Sequence, residues 1–209
     1  MIRRPALITC LISDGSLSPE NFNACKSTFL SRIQIAVNAG VSIVQIREKQ
    51  LSTRMLFDLA AEVARIIKGS ETLLLINDRA DVAAAAGANG VHLTGTSLGT
   101  DQIRRTFGDR FVIGVSTHSA DDVLRAKGAG ADLAVFGPVF STPGKGPAVG
   151  LETLAFVCKD AGEFPVLALG GISKDNWRDA VSAGAAGFAA IRYFAEFNNA
   201  AELADTLRK

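Results

Sequence analysis

The chain has 209 residues, of which 48% are hydrophobic and 21% charged, with 22 lysines and arginines against 21 acidic residues for a formal net charge of +1. That length buries a full core without disulfide or metal staples. The even charge balance excludes a bulk field that would recruit nucleic acid or an anionic membrane surface, so any anion is held locally.

The first apolar run, Ala6–Ser13, is too short to span a membrane and meets a polar turn at Asp14 and Gly15. It reads as the opening strand of a cytoplasmic protein. Further short runs rich in β-branched residues follow at Ser42–Arg47, Thr72–Ile76, Gly90–Leu93, Val112–Ser116, Leu133–Phe136, Val166–Leu169 and Gly187–Ile191. Amphipathic stretches alternate with them, around Thr28–Asn38, Arg54–Lys68, Asp81–Ala86, Thr100–Phe107, Ala120–Lys127, Leu151–Ala161, Lys174–Ala183 and Ala200–Leu207. Strands this apolar, separated by helices, predict a parallel sheet covered by helices. The three cysteines, Cys10, Cys25 and Cys158, form no CxxC pair and no metal spacing with histidine, and read as reduced thiols.

An internal repeat distinguishes a closed barrel from an open sheet. Ala39-Gly40-Val41 recurs as Ala86-Gly87-Ala88, Ala129-Gly130-Ala131 and Ala183-Gly184-Ala185, ahead of predicted strands two, four, six and eight. In each copy a glycine ends a helix and a strand opens after it. Fourfold repetition of a two-strand, two-helix unit predicts a (β/α)8 TIM barrel; a doubly wound sheet reverses midway and has no need of such regularity. No linker or charge run divides the chain, so residues 1–209 are expected to form a single barrel domain.

In such barrels the chemistry sits where the strands end. The second strand ends in Gln45-Ile46-Arg47-Glu48-Lys49. Alternation predicts Gln45, Arg47 and Lys49 on one side, where two cations and an amide suit a phosphate or pyrophosphate. A solvated edge, or an internal ion pair with Glu48, is the plainer alternative. The third strand runs into Asn77-Asp78-Arg79. A carboxylate there is a helix cap or a Mg2+ ligand, and Asp81 is better placed to cap, which leaves Asp78 for function.

The only two histidines, His92 and His118, both fall at predicted strand ends. Histidine can move a proton near neutral pH. His92 reads as a hydrogen-bonded core residue; His118, in a polar segment with Ser116 and Ser119, reads as the better acid/base. The Gly/Pro-rich segment from Gly137 to Gly146, with Ser141, Thr142 and Lys145, is either a connector or a mobile lid, and its position suggests the lid. Gly170-Gly171-Ile172 and Ala190-Ile191-Arg192 end the last two strands, where these barrels usually cradle phosphate on backbone amides. Phe140, Trp177 and Phe188 read as packing. No Rossmann glycine pattern follows the first strand, and nothing suggests a flavin, NAD or PLP site.

In order and spacing these segments resemble the thiamine-phosphate synthase/TenI family. The resemblance runs through Gln45-x-Arg47-x-Lys49, Ile76-Asn77-Asp78-Arg79, Gly90-Val91-His92-Leu93 and Gly114-x-Ser116-x-His118-Ser119. It continues through Gly137-Pro138-Val139-Phe140-x-Thr142-x-x-Lys145, Gly150-Leu151-Glu152, Gly170-Gly171-Ile172 and Gly184-x-x-Gly187. It implies one of two activities. A synthase joins an aminopyrimidine pyrophosphate to a thiazole phosphate and releases pyrophosphate; Arg47 and Lys49 then grip the leaving group and Asp78 binds Mg2+. A TenI-type tautomerase isomerises a carboxythiazole phosphate by proton transfer at His118 and needs no metal.

Three positions depart from the synthase pattern. Ser97 stands where the second metal aspartate is expected, Gly144 replaces a hydroxyl ahead of Lys145, and Ile191-Arg192-Tyr193 replaces a small phosphate loop, where Arg192 adds a donor or fills the pocket. Because a neutral hydroxyl brings no charge to a metal, the balance falls to TenI-type proton transfer, with the Mg2+-dependent synthase and a non-catalytic phosphate-binding barrel as alternatives. The resemblance implies His118, Lys49 and Lys145 as catalytic residues. It implies Gln45, Arg47, Asn77, Ser116, Thr142, Gly170, Gly171 and Ile191 as substrate-binding residues, and Asp78 as a metal ligand in the synthase scheme only; Arg192, where the chain departs from the family, is counted with the substrate-binding residues as an added donor. The expected partners are a phosphorylated thiazole and, for the synthase, the pyrimidine pyrophosphate, with neither nucleic acid nor membrane and with a homodimer allowed.

Overall fold

The fold is known from a computed structural model that describes residues 7–144 and 146–208. Segments such as Ile43–Ile46 and Leu133–Phe136 are buried along their whole length, as parallel strands covered by helices must be. Strands β1 (Ile8–Ile12), β2 (Ile43–Ile46), β3 (Leu73–Asn77), β4 (Gly90–Leu93), β5 (Val112–Thr117), β6 (Leu133–Phe136), β7 (Val166–Leu169) and β8 (Gly187–Ala190) close a barrel in chain order. Helices α1 (Phe22–Asn38), α2 (Thr53–Ile67), α3 (Ala80–Ala86), α4 (Thr100–Phe107), α5 (Ala120–Gly128), α6 (Gly150–Ala161), α7 (Trp177–Ser182) and α8 (Ala200–Arg208) alternate with the strands. The chain is a (β/α)8 TIM barrel, as its repeat predicts.

Two compact units make up the described chain: residues 7–9 with 92–190, and residues 10–91 with 191–208. In the second, β2 and β3 pair in parallel with Gln45 beside Leu75, and α1 packs on α2 and α8. In the first, β5 to β8 pair in parallel. Its core gathers Phe136, Leu154, Val157, Val166 and Ala180 between sheet and helices.

The repeat has a geometric cause. Gly40, Gly87, Gly130 and Gly184 all take positive φ, at 81°, 73°, 91° and 102°. After each, the next amide reaches back five residues: Val41 to Ala36, Ala88 to Ala83, Ala131 to Ala126, and Ala185 to Ala180, at 2.9–3.2 Å. This bond ends a helix in a left-handed turn, where glycine carries no Cβ penalty.

Several boundaries differ from expectation. Helix α1 starts at Phe22 instead of near Thr28: Asn21 closes the turn ahead of it by accepting from the Ser18 amide, and Lys26 in its first turns pairs with Glu62 on α2 at 2.7 Å. Helix α7 starts at Trp177 instead of near Lys174, because Asn176 caps the preceding turn by accepting from the Ser173 amide. Strand β8 ends at Ala190, before Ile191, and a short 3-10 helix, Tyr193–Glu196, follows it. Of the expected first strand, Ala6 lies outside the described residues. Asp81 does not cap α3: Arg79 occupies the cap position, and its guanidinium holds the Asp81 carboxylate at 2.7 Å.

Candidate functional site

In the unit holding β2 and β3, the strand ends carry a chain of polar side chains. Gln45 is buried at 1% exposure; its Nε2 donates to Asn77 Oδ1 at 3.2 Å, and Asn77 Nδ2 donates to Asp78 Oδ2 at 2.8 Å. Gln45 Oε1 is buried without a hydrogen-bond partner. An unmet buried acceptor costs about 1–3 kcal/mol, so this oxygen is suited to a donor brought by a ligand. Asp78 has φ 60°, the one described non-glycine residue in the left-handed region, a conformation that aspartate tolerates better than most residues and that clusters at functional sites.

The predicted alternation of Gln45, Arg47 and Lys49 does not continue past the strand. Strand β2 stops at Ile46; beyond it Arg47 is half-buried, Glu48 buried and Lys49 exposed. The reason is Glu48, which turns inward and accepts from the Gly15 amide at 3.2 Å and the Leu17 amide at 2.9 Å. It therefore forms no ion pair with Arg47. Burial pushes its carboxyl above the ordinary range, with Asp14 adding to the rise, against the opposing hydrogen bonds of the Ser13 hydroxyl and the Leu17 and Gly15 amides. Ile191 and Arg192 are both exposed, and Arg192 occupies the cap position of the 3-10 helix Tyr193–Glu196.

In the other unit, His92 is a buried, hydrogen-bonded histidine: its Nε2 lies 2.8 Å from Ser116 Oγ. Gly114 makes room for the ring, since a Cβ there would sit 2.8 Å from His92 Nδ1. His118 is exposed, and its Nδ1 lies 2.7 Å from the Gly137 carbonyl oxygen. A carbonyl only accepts, so Nδ1 carries the proton and Nε2 is the basic nitrogen of the neutral ring. The His118 amide is itself held by Asp122 Oδ2 at 3.0 Å, within the cap of α5. Burial opposes ionisation of Asp122, but the amides of His118 and Ser119, the Ser119 hydroxyl and Arg125 outweigh it and hold the carboxyl below the ordinary carboxylate range.

The expectation of a mobile lid is corrected for its first part. Val139 donates to Leu169 O at 2.8 Å and Phe140 to Gly170 O at 3.1 Å, so residues 139 and 140, past the end of β6, are tied to the end of β7 and the glycine after it. Thr142 follows, half-buried, donating its hydroxyl to Phe140 O at 3.0 Å. Lys145 lies outside the described residues.

Gly170 and Gly171 have φ 97° and 63°, and the pinned segment is why both must be glycine. A Cβ on Gly170 would meet Pro138 Cβ at 2.6 Å, and one on Gly171 would meet Phe140 Cβ at 2.7 Å. Their carbonyls accept from Phe140 N and Asn176 Nδ2. Among the described residues their amides serve no turn or cap bond, as an anion cradle requires. Ser97 Oγ accepts from the Thr94 amide at 2.7 Å, closing a local turn. Among the described residues no group of three or more His, Cys, Asp or Glu could by itself hold a metal ion. Phe188 is fully buried with Trp177 against it, centroids 5.6 Å apart.

Two residues of this geometry escape a sequence reading. Glu48 stands between two cations and reads as their ion partner; only the return of residues 13–17 shows its role. Gly114 is recognisable as a necessity only once the His92 ring is placed above it.

With titratable and hydrogen-bonding groups gathered at strand ends, the chain falls in the class of (β/α)8-barrel enzymes. Its sequence narrows this to one family. Residues 17–194 match the family model described as thiamine monophosphate synthase, and the chain belongs to that family. It is 35% identical over 172 residues to a thiamine-phosphate synthase of Caldicellulosiruptor bescii, covering 81% of this chain and 78% of that one. It is 43% identical over 165 residues to a putative thiamine-phosphate synthase of Geobacter sulfurreducens, covering 78% and 77%. The solved thiamine phosphate pyrophosphorylase from Pyrococcus furiosus superposes with a TM-score of 0.82 at 28% identity, over 98% of this chain and 95% of that one. The chain is thus an enzyme of the thiamine-phosphate synthase/TenI type. No described helix is long and apolar enough to cross a membrane.

Proposed function

We propose that this enzyme joins an aminopyrimidine pyrophosphate to a thiazole phosphate, forming thiamine phosphate and releasing pyrophosphate. The relatives favour this over the tautomerase preferred on sequence alone. The observation that carries it is the Gln45–Asn77–Asp78 chain: it leaves a buried acceptor, Gln45 Oε1, without a partner and ends in a carboxylate. An amino-bearing pyrimidine supplies the donor that Oε1 lacks.

Mg2+ fits the residues present. It keeps several waters and is commonly bound by one or two carboxylates together with substrate phosphates, so Asp78 suffices as the protein's charged ligand and Ser97 is not needed. When bound, the ion neutralises charge gathering on the departing pyrophosphate. Arg47 and Lys49 add donors to the same group, Arg47 through two parallel bonds. The amides of Gly170 and Gly171 hold the thiazole phosphate, and Ser116, kept in place by His92, is assigned to substrate. Thr142 and Lys145 are assigned to the segment after β6, and Ile191 and Arg192 to a further anion contact. Free cysteines at Cys10, Cys25 and Cys158 suit a reducing, cytoplasmic setting.

Tautomerase chemistry is the second reading. It is favoured by one observation: the Gly137 carbonyl fixes His118 with Nε2 as the base. Both reactions can be assayed side by side, with and without a chelator. Chelator-sensitive coupling of the two synthase substrates supports the first reading. Metal-independent isomerisation of the carboxythiazole phosphate, abolished in His118→Ala, replaces it with the second.

A further inference from the structure

Glu48 is 3% exposed between a half-buried Arg47 and an exposed Lys49. A carboxylate is costly to bury, and an apolar side chain would fill the space more cheaply. What it does that no apolar group can is accept from two diverging amides at once: Oε1 takes Gly15 N at 3.2 Å and Oε2 takes Leu17 N at 2.9 Å. Leu17 is anchored in the core at 1% exposure, so the carboxylate ties residues 13–17, the segment after β1, at a fixed point.

The same segment lies against Arg47. Ser13 Oγ accepts from the Arg47 amide at 2.7 Å and its hydroxyl also hydrogen-bonds Glu48. Gly15 has φ 78°, and a Cβ there would stand 3.3 Å from the Arg47 carbonyl oxygen and 3.6 Å from its Nη1. Gln50 Nε2 donates to Gly15 O at 3.4 Å, closing the segment from the other side. The Arg47 guanidinium is thus backed by main chain that Glu48 holds in place.

We infer that Glu48 is a positioning residue: by clamping Gly15 and Leu17 it fixes the direction of the Arg47 guanidinium. Building on the proposed synthase activity, it sets the grip on pyrophosphate without touching that group itself. Glutamine at position 48 is the same size but offers one acceptor and presents its NH2 to an amide, so the clamp opens on one side while the packing volume is kept.

The test uses inorganic pyrophosphate with Mg2+ as the calorimetric probe on wild type, Glu48→Gln, Arg47→Ala and the double variant. Glu48→Gln is expected to weaken binding about tenfold where Arg47 is present, and less than twofold where it is absent. In turnover it raises KM for the pyrophosphate substrate and leaves that for thiazole phosphate within twofold. Equal weakening in both backgrounds overturns the inference, because a general loosening of the fold would act without Arg47. The rate at which phenylglyoxal modifies Arg47, mapped by mass spectrometry, needs no ligand. It is expected to rise several-fold in Glu48→Gln and in the milder Ser13→Ala, and an unchanged rate in both overturns the inference. Should wild type bind no pyrophosphate, the proposed function fails, and the modification rate alone decides the role of Glu48.

Discussion

Replacing Gly114 with alanine puts a methyl group where the structure has none to spare. The new Cβ would stand 2.8 Å from His92 Nδ1 and 3.5 Å from Leu133 Cδ1. Real Cβ contacts do not come that close to a ring nitrogen, so the imidazole must swing away. His92 is 3% exposed and has little room to move; its other nitrogen is 2.8 Å from Ser116 Oγ, so a shift of a few tenths of an ångström strains that bond. Overpacking of this kind costs about 1–3 kcal/mol, and loss of a buried hydrogen bond about 1 kcal/mol. The extra buried methyl returns roughly 0.8 kcal/mol. The net expectation is about 1–3 kcal/mol of destabilisation, which for a chain of this size lowers Tm by roughly 2–12 °C. Urea and thermal unfolding of Gly114→Ala, Ser116→Ala and the double variant test the cause as well as the size. If Gly114 acts by seating His92 on Ser116, the double variant loses less than the sum of the two. Wild-type stability with unmoved His92 ring resonances in Gly114→Ala would refute the reasoning.

Three further outcomes follow from the same geometry. Gly170→Ala forces a side chain to φ 97° and into Pro138, so thiazole phosphate should bind at least tenfold more weakly by calorimetry, whereas unchanged affinity removes this turn from the site. Asp78→Asn keeps a residue that accepts the left-handed backbone but removes the charge. Unfolding stability should stay within about 0.5 kcal/mol of wild type while Mg2+-dependent turnover falls at least a hundredfold; full activity would deny Asp78 the metal. Asp122 has its carboxyl held below the ordinary value of 3.8 in the folded chain. Its contribution to stability is therefore present above that value and lost as pH falls through the lower, folded one. The stability gap between wild type and Asp122→Asn, read by urea unfolding, should be wider near pH 6 than near pH 3, and a gap independent of pH would contradict this.

The architecture was legible because it is repeated. The glycine that ends a helix ahead of strands two, four, six and eight needs a left-handed turn each time, and such a need leaves a mark in the residues themselves. Strand ends were legible for a similar reason, since apolar runs stop where polar groups begin. What depends on segments distant in sequence left no such mark. Arg104 donates to the carbonyl oxygen of Gly130 and to Asp132, tying the end of α4 to the turn before β6, and nothing near Arg104 announces those partners. Glu48 was hidden in the same way, and hiding it made the alternation of Gln45, Arg47 and Lys49 look longer than the strand that supports it. Gly170 and Gly171 were recognised by address, but half of their reason for being glycine, the approach of Pro138 and Phe140, lies about thirty residues upstream.

In the proposed reaction pyrophosphate leaves as the two heterocycles join. Incubating the purified enzyme with the aminopyrimidine pyrophosphate, thiazole phosphate and Mg2+, and counting both products in the same sample, tests it most directly. One pyrophosphate per thiamine phosphate, with both absent when either substrate is withheld or Mg2+ is chelated, is the predicted result. Thiazole phosphate bound but never coupled, with no pyrophosphate released, would contradict it.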